Sequence, residues 1–265
     1  MESRMAGSSA ANGVLWGASA RDWATIQEGT CRGVYEATFD RLNLQPGTEY
    51  LDVGCGAGMA AQIAAARGAH VSGLDAAEAL LAIARERVPE GTFHAGEIEA
   101  LPFADASFDL VTGFNSFQYA ANPVAALTEA KRVAKPGADV VVMTWGEPEG
   151  MEAASLVAAL RPLLPAPPPG APGPFALSKA DALRGFAESA GLKPVEVFDV
   201  YSPWRYANLD TALRGLRSSG VAARAMAQSG VEAVNQAHAA ALAPFRQADG
   251  SYEIGALFRC MITAA

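Results

Sequence analysis

Residues 50–59 read Tyr50-Leu51-Asp52-Val53-Gly54-Cys55-Gly56-Ala57-Gly58-Met59. Tyr50 to Val53 is a short strand, Gly54 to Gly58 a glycine-rich turn, and Met59 to Arg67 an alanine-rich helix closed by Gly68. A second strand, Ala69 to Leu74, ends at Asp75. Strand, glycine turn, helix and a strand ending in an acid form a nucleotide-binding layout. Bare glycine backbone admits a ligand closely, and a helix N-terminus offers free N–H groups. A carboxylate after the second strand can accept from two ribose hydroxyls at once. The spacing of Gly54, Gly56 and Gly58 is GxGxG, not the GxGxxG of dinucleotide sites, and Met59 stands where the last glycine of that motif falls. Asp52, just before the turn, would repel a pyrophosphate but suits an amino group. The loop therefore favours a nucleoside with a cationic tail over a dinucleotide.

Outward from this stretch the pattern is regular. Residues 77–87 are helical, with Pro89 beyond as a stop, and Thr92-Phe93-His94 is a weak strand. Phe108 to Phe114 reads as a buried strand, Pro123 to Val133 as a helix stopped by Lys135-Pro136-Gly137, and Asp139 to Trp145 as a β-branched strand. Strands alternating with helices give a parallel sheet covered on both faces. Upstream, residues 1–18 are small and glycine-rich and are expected to be mobile until something packs on them. Ser19 and Asp22 resemble a capping box opening a helix through Trp23 and Ile26, and Cys31, Val34, Tyr35, Phe39 and Leu42 have helical spacing up to the turn Gln45-Pro46-Gly47. Downstream, the prolines of 161–174 (Pro162, Pro165, Pro167, Pro168, Pro169, Pro172, Pro174) mark a stiff connection. Ser178 is placed as the cap of a helix running to Ala190, followed by a strand from Val195 to Tyr201. Leu209 to Leu242 is helical with breaks near Gly220 and Gly230, and Tyr252 to Ile262 reads as one last strand.

Several ordered motifs together are far more specific than one glycine loop. Leu51 to Gly58 resembles the first motif of class I S-adenosylmethionine-dependent methyltransferases of the small-molecule type, and Gly73-Leu74-Asp75-Ala76 resembles their ribose-binding motif. Residues 96–103 and Phe108-Asp109-Leu110-Val111 resemble the adenine loop and fourth strand, and Arg132 to Gly137 the segment before the fifth strand. The resemblance is close over 47–145 and looser over 178–200 and 252–263. It implies an α/β fold: a Rossmann-like three-layer sandwich whose mostly parallel sheet has an antiparallel last strand. The expected organisation is one methyltransferase domain over 1–265, with an N-terminal helical lid at 19–45, a cofactor-binding core at 47–145 and a helical cap inserted at 203–248.

Carried over by position, the resemblance implies S-adenosyl-L-methionine as cofactor. The backbone of Gly54, Cys55 and Gly56 would lie against its methionine part, and Asp52 would receive the amino group. Asp75, with Ala76 beside it, would hold the ribose, and Glu97 and Ile98 would meet the adenine. Asn115 would stand near the methionine tail. The family more often has Asp at the place of Glu97, a departure that puts a longer side chain there. Each residue also has a plainer reading: a tight turn for the glycines, a small loop residue for Cys55, a helix cap for Asp75, a solvated charge for Glu97, and backbone satisfaction for Asn115.

The acceptor end is less defined. Family members often carry a histidine after the fourth strand, but here the segment is Asn115-Ser116-Phe117-Gln118-Tyr119. Tyr119 and Gln118 become the candidates for positioning the acceptor, with core packing as the alternative. His238 and the spaced Arg214, Arg217 and Arg224 either face an acceptor or are solvated helix residues. Trp145 ends a strand on the expected acceptor side, and Trp23 is placed as a lid residue whose ring suits a sulfonium.

The balance of 20 basic and 28 acidic residues, net −8, with 51% hydrophobic and 18% charged residues, fits a folded acidic protein and argues against nucleic acid as partner. At roughly 150 residues per domain, 265 residues suit one domain plus additions. The three cysteines, Cys31, Cys55 and Cys260, are scattered and include no CxxC pair, so no metal site and no disulfide framework is expected. The chain opens Met1-Glu2-Ser3-Arg4 without an apolar signal core, and Leu110 to Thr128 is too polar for a membrane helix, so a cytoplasmic protein without membrane contact is expected. The composite expectation is methyl transfer to a small-molecule acceptor, with O-, C- and N-methylation all open. Alternatives are a cofactor-binding protein that does not methylate, such as a cyclase or sensor, and a nicotinamide oxidoreductase.

Overall fold

A computed structural model describes residues 7–166 and 173–265. The opening Met1 to Arg4 and the prolines Pro167, Pro168, Pro169 and Pro172 lie outside the described residues. The sheet strands are β1 (Glu49–Val53), β2 (His70–Asp75), β3 (Thr92–Ala95), β4 (Phe108–Phe114), β5 (Ala134–Trp145), β6 (Lys193–Tyr201) and, as the last, β9 (Leu257–Ala264). Their order is β3-β2-β1-β4-β5-β9-β6. Pairings from β3 to β5 are parallel, while β9 runs antiparallel to both β5 and β6. This is the expected Rossmann-like sandwich. Val53, Leu51 and Val111 are fully buried, as strands covered on both faces require.

One face carries α3 (Arg32–Arg41), α4 (Met59–Ala66) and α5 (Glu78–Arg87), whose Val34, Phe39, Ile63 and Leu81 share a core with Tyr50 and Phe258. The other carries α6 (Pro123–Val133) and α8 (Ala180–Ser189), with Leu127, Val133, Leu183 and Phe186 packed on Leu51 and Val142. The α6 N-cap is Asn122, whose side chain accepts from the Ala125 N–H at 3.1 Å. The region 203–248 holds α9 (Leu209–Arg217), α10 (Gly220–Ser229) and α11 (Val231–Leu242), with Gly230 at φ 85° between the last two. A short helix, α7 (Ala154–Ala159), packs against α11.

Several expectations change. Within the described part of residues 1–18, Ser9–Gly17 forms α1, which packs on α5 and α10. Ser19 makes no side-chain cap; α2 (Ala20–Asp22) passes directly into a π-helical turn, Trp23–Gln27, and a 3-10 turn, Glu28–Cys31. The strand expected from Asp139 begins at Ala134, because the Lys135-Pro136-Gly137 stop of α6 leads straight into β5. Ser178 does not cap α8, whose N-cap is Lys179; Ser178 is buried and its carbonyl accepts from Arg259. The single strand expected over 252–262 is two. Residues Tyr252–Ile254 form β8, which pairs antiparallel with β7 (Trp204–Tyr206) in a separate two-stranded sheet. That small sheet packs against α9, a pairing that no local signal in the sequence indicated.

Candidate functional site

The strand order reverses between β1 and β4, so their following loops diverge and leave a crevice at the strands' carboxyl ends. There lies a cleft enclosing about 780 Å³, part of it open to solvent. Residues after β3 (Gly96, Glu97, Ile98) line it, and so does Met143 of β5. Four strand spacings of about 4.8 Å separate those two strands, so the cleft spans roughly 19 Å across the sheet.

The glycine turn forms its floor. Gly54 has φ 77°, and a Cβ there would stand 2.4 Å from Ser116 Cβ, so the loops after β1 and β4 meet only because residue 54 is glycine. The Ser116 hydroxyl donates to the Val53 carbonyl at 2.6 Å, tying the two loops. Gly54 and Cys55 donate their N–H groups to the Leu74 carbonyl. Gly54 and Gly56 line the cleft. Cys55 does not: its side chain is buried, and burial, helped by the charges of Asp75 and Asp52, pushes the thiol well up, so it stays a protonated packing residue.

Asp75 lines the cleft with a fixed carboxylate: one oxygen accepts from the Gly56 N–H at 2.9 Å and the other from the Ala77 N–H at 2.8 Å. Burial raises its pKa while these backbone bonds hold it down. A carboxylate accepts about four hydrogen bonds, so roughly two remain for a diol. The N-cap of α5 is Ala77, which sets aside the reading of Asp75 as a helix cap. Ala76 and Ile98 line the cleft as expected.

Asp52 sits beneath the floor rather than in it. It is 2% exposed, and it accepts from the Thr112 hydroxyl at 2.9 Å, which in turn lies 2.7 Å from the Tyr50 hydroxyl. Burial, with Glu28 and Asp75 nearby, raises its pKa to about 7.

Glu28 is a site residue that the sequence did not single out. Only 3% exposed, it accepts from the Met59 N–H at 3.2 Å, at the N-terminus of α4, and is ion-paired with Arg87. Arg87 also donates to the carbonyls of Ala57 at 2.8 Å and Ala24 at 2.7 Å. Burial raises the Glu28 pKa against the pull of Arg87. The helix end that would hold a pyrophosphate thus already carries a carboxylate. In sequence Glu28 is one more charge near a helix, and nothing local links it to Arg87, 59 positions away.

Glu97 lines the cleft, but its carboxylate is turned toward α1: it accepts from the Ser9 N–H at 2.8 Å and the Ser8 hydroxyl at 3.4 Å. It is therefore neither a solvated loop charge nor free to face an adenine with both oxygens. The Asn12 amide donates to the Tyr119 carbonyl at 3.0 Å, and the Trp16 ring stands edge-on to Trp23 at 5.1 Å and to Tyr119 at 5.3 Å. Helix α1 so becomes one wall of the cleft, through Ser8, Ser9, Asn12 and Trp16. Sequence reasoning misses these residues because a run of small residues carries no chemistry; the spacing of Trp16 and Trp23 is the one available signal.

At the other end, Asn115 lines the cleft in a left-handed conformation, φ 56°, its N–H bonded to the Met143 carbonyl at 3.0 Å. Such strained non-glycine residues cluster at functional sites. Gln118 does not reach the cleft; its amide donates to the Asn115 side-chain oxygen and orients it. Tyr119 lines the cleft, and burial pushes its phenol up to about 12, so it offers a donor and not a base. Cys31, Tyr35, Phe114 and Met143 add an apolar wall, with the Tyr35 and Phe114 rings 4.7 Å apart. Burial pushes the Cys31 thiol to about 12 and Tyr35 well up. Trp145 turns away from the cleft and stacks on Phe258 at 5.1 Å. His238 is neither solvated nor cleft-lining. It is 2% exposed within α11, and burial, then Arg217, lowers its pKa to about 4. Arg214 pairs with Asp22 at 2.6 Å, and neither Arg217 nor Arg224 lines the cleft. Among the described residues no group of three or more metal-ligating side chains occurs, and no helix is long and apolar enough to cross a membrane.

A family model described as a methyltransferase domain matches residues 51–142. A ubiquinone biosynthesis O-methyltransferase of Hahella chejuensis is 41% identical over 104 residues, covering 37% of this chain and 44% of that protein. This chain therefore spans less than half the length of that curated relative. Among solved structures, a putative methyltransferase from Bacillus halodurans superposes with a TM-score of 0.59 at 18% identity, covering 87% of this chain and 97% of that one. The (4+2)-cyclase SpnF gives a TM-score of 0.54 at 20% identity, covering 88% and 80%. At these identities the two solved structures share the fold, and a shared fold spans both chemistries.

Proposed function

We propose, for a chain whose residues 51–142 form a methyltransferase domain, that it transfers a methyl group from S-adenosyl-L-methionine to a small, largely apolar acceptor. The observation that carries this reading is the acid-lined glycine turn. Glu28 closes the α4 N-terminus to a pyrophosphate, Asp52 lies under the floor, and Asp75 presents a fixed carboxylate to the cleft. A nucleoside with a cationic tail suits that surround, and NAD does not. In this reading Asp75 and Ala76 hold the ribose, Ile98 meets the adenine, Gly54 and Gly56 leave room for the methionine part, and Asn115 stands near the tail.

When bound, the cofactor supplies a methyl made electrophilic by its sulfonium. The chain's own contribution is alignment and exclusion of water. Gln118 fixes the Asn115 amide, Tyr119 offers a neutral O–H, and Tyr35, Phe114 and Met143 wall the acceptor space. Among the described residues, the carboxylates on the cleft, Asp75 and Glu97, are both engaged by backbone N–H groups, and no histidine lines it. This favours an acceptor that is already nucleophilic, such as a phenolate or an amine, over one that needs a base. Transfer to an oxygen accords with the relative named as a ubiquinone biosynthesis O-methyltransferase.

The same lack of a base supports a second reading, a protein that binds the cofactor without methylating. Incubating the protein with S-adenosyl-L-methionine and a panel of phenols, amines and carboxylates distinguishes the two. Methyl transfer gives a product heavier by one CH₂, about 14 mass units, as for the methylene differences enzymes discriminate. A consumed acceptor whose mass is unchanged selects the second reading. Stabilisation by NAD and not by S-adenosylhomocysteine in a thermal-shift assay would refute both.

A further inference from the structure

The methionine end of the proposed cofactor carries an ammonium and a carboxylate, and the floor holds the acids Asp52, Glu28 and Asp75, while Arg87 beside them is taken up by Glu28 and by the carbonyls of Ala57 and Ala24. The ammonium fits that surround; the carboxylate needs a donor. Among the described residues, no lysine, arginine or histidine lines the cleft. The turn's own N–H groups at Gly54, Cys55, Gly56, Gly58 and Met59 are all bonded within the protein. One buried donor stands out. Among the described residues the Trp23 indole Nε1 has no hydrogen-bond partner, and it lies 3.5 Å from the point that a Cβ on Gly56 would occupy. An indole N–H can only donate, and leaving one buried without a partner is costly. The ring is fixed by the edge-on Trp16, and Trp23 opens the π-helical turn Trp23–Gln27, a distortion frequent at functional sites.

We propose that the Trp23 indole N–H receives the carboxylate of the cofactor's methionine tail, a neutral donor in a cleft that no cation among the described residues lines. The inference rests on the S-adenosyl reading above. It adds that Trp23 is a polar ligand group and not merely an aromatic wall.

The test compares two ligands on two proteins by calorimetry. S-adenosylhomocysteine carries the carboxylate, and 5′-methylthioadenosine lacks the whole amino-acid tail. Trp23→Phe keeps a ring and removes the N–H. The expected result is that S-adenosylhomocysteine binds at least about tenfold more weakly to the variant, the loss of a hydrogen bond to a charged group, while methylthioadenosine stays within twofold. Equal weakening of both ligands, or of neither, overturns the inference and leaves the S-adenosyl reading standing. If the wild-type protein binds neither ligand, that reading falls, and the inference with it. Should the variant fail to fold, the wild-type indole N–H resonance of Trp23 is the second readout, assigned through the other three tryptophans. It should move on adding S-adenosylhomocysteine and not on adding methylthioadenosine; a peak that moves equally with both refutes the proposal.

Discussion

Replacing Asp52 by Asn should convert a pH-dependent stability into a flatter one. Asp52 is buried under the glycine turn with its pKa raised to about 7, first by loss of water and then by the charges of Glu28 and Asp75. In the unfolded chain the group titrates near the ordinary 3.8. Between these values the folded protein holds a proton that the unfolded chain has released. By linkage, stability then falls as pH rises through that window and is greatest below it. Between about pH 5 and pH 8, roughly two units of the difference are traversed, which at 1.36 kcal/mol per unit is about 2–3 kcal/mol. In the Asp52→Asn variant the amide oxygen would still accept from the Thr112 hydroxyl, so the 2.9 Å bond survives without the charge. Urea denaturation of both proteins at the two pH values measures this directly. The wild type should lose about 2–3 kcal/mol more than the variant on going to the higher pH, other titrations cancelling in the comparison. Parallel pH profiles would mean that Asp52 ionises freely where it stands, and that the floor is wetter than its 2% exposure indicates.

Other outcomes follow from the same geometry. Asp75→Ala should weaken S-adenosylhomocysteine by at least about 100-fold, since two hydrogen bonds to a charged acceptor at about 1.5 kcal/mol each are lost; calorimetry within twofold of wild type would end the ribose assignment. Glu28→Gln should cost about 3 kcal/mol in urea denaturation, the lower end for a broken buried ion pair, because Arg87 keeps the carbonyls of Ala24 and Ala57. A loss below about 1 kcal/mol would show that the pair does not hold the N-terminal segment to the turn. Gln118→Ala should weaken S-adenosylhomocysteine about fivefold by freeing the Asn115 amide, with unchanged circular dichroism; unaltered affinity would remove Asn115 from the cofactor side.

The parts of the site that are legible in sequence are those written within a few residues of one strand end. Asp75 reads as a ribose group because it ends β2 opposite a glycine turn, and its two backbone N–H bonds come from Ala77, two residues on, and from that turn. Asn115 is readable as the residue just after β4, although its left-handed conformation is not. Glu97, Trp145 and His238 escape a sequence reading for a common reason: their surroundings come from distant segments. Glu97 meets the start of α1, 88 residues away, Trp145 finds Phe258 across the antiparallel β5–β9 pairing, and His238 is buried on α11, which packs against α7, α9 and α10.

The alternating architecture, the glycine turn and the order of motifs follow from the order of residues alone, because periodicity and glycine placement act over a few residues. What closes the cleft depends on tertiary packing. Helix α1 has no charged or strongly amphipathic face to announce it, and it takes its place through Glu97, Tyr119 and Trp23. Likewise Glu28 became the cap of α4 only once the chain had folded back across the turn. Side chains on one element can be read from spacing, whereas a hydrogen bond between segments far apart in sequence depends on the packing that brings them together.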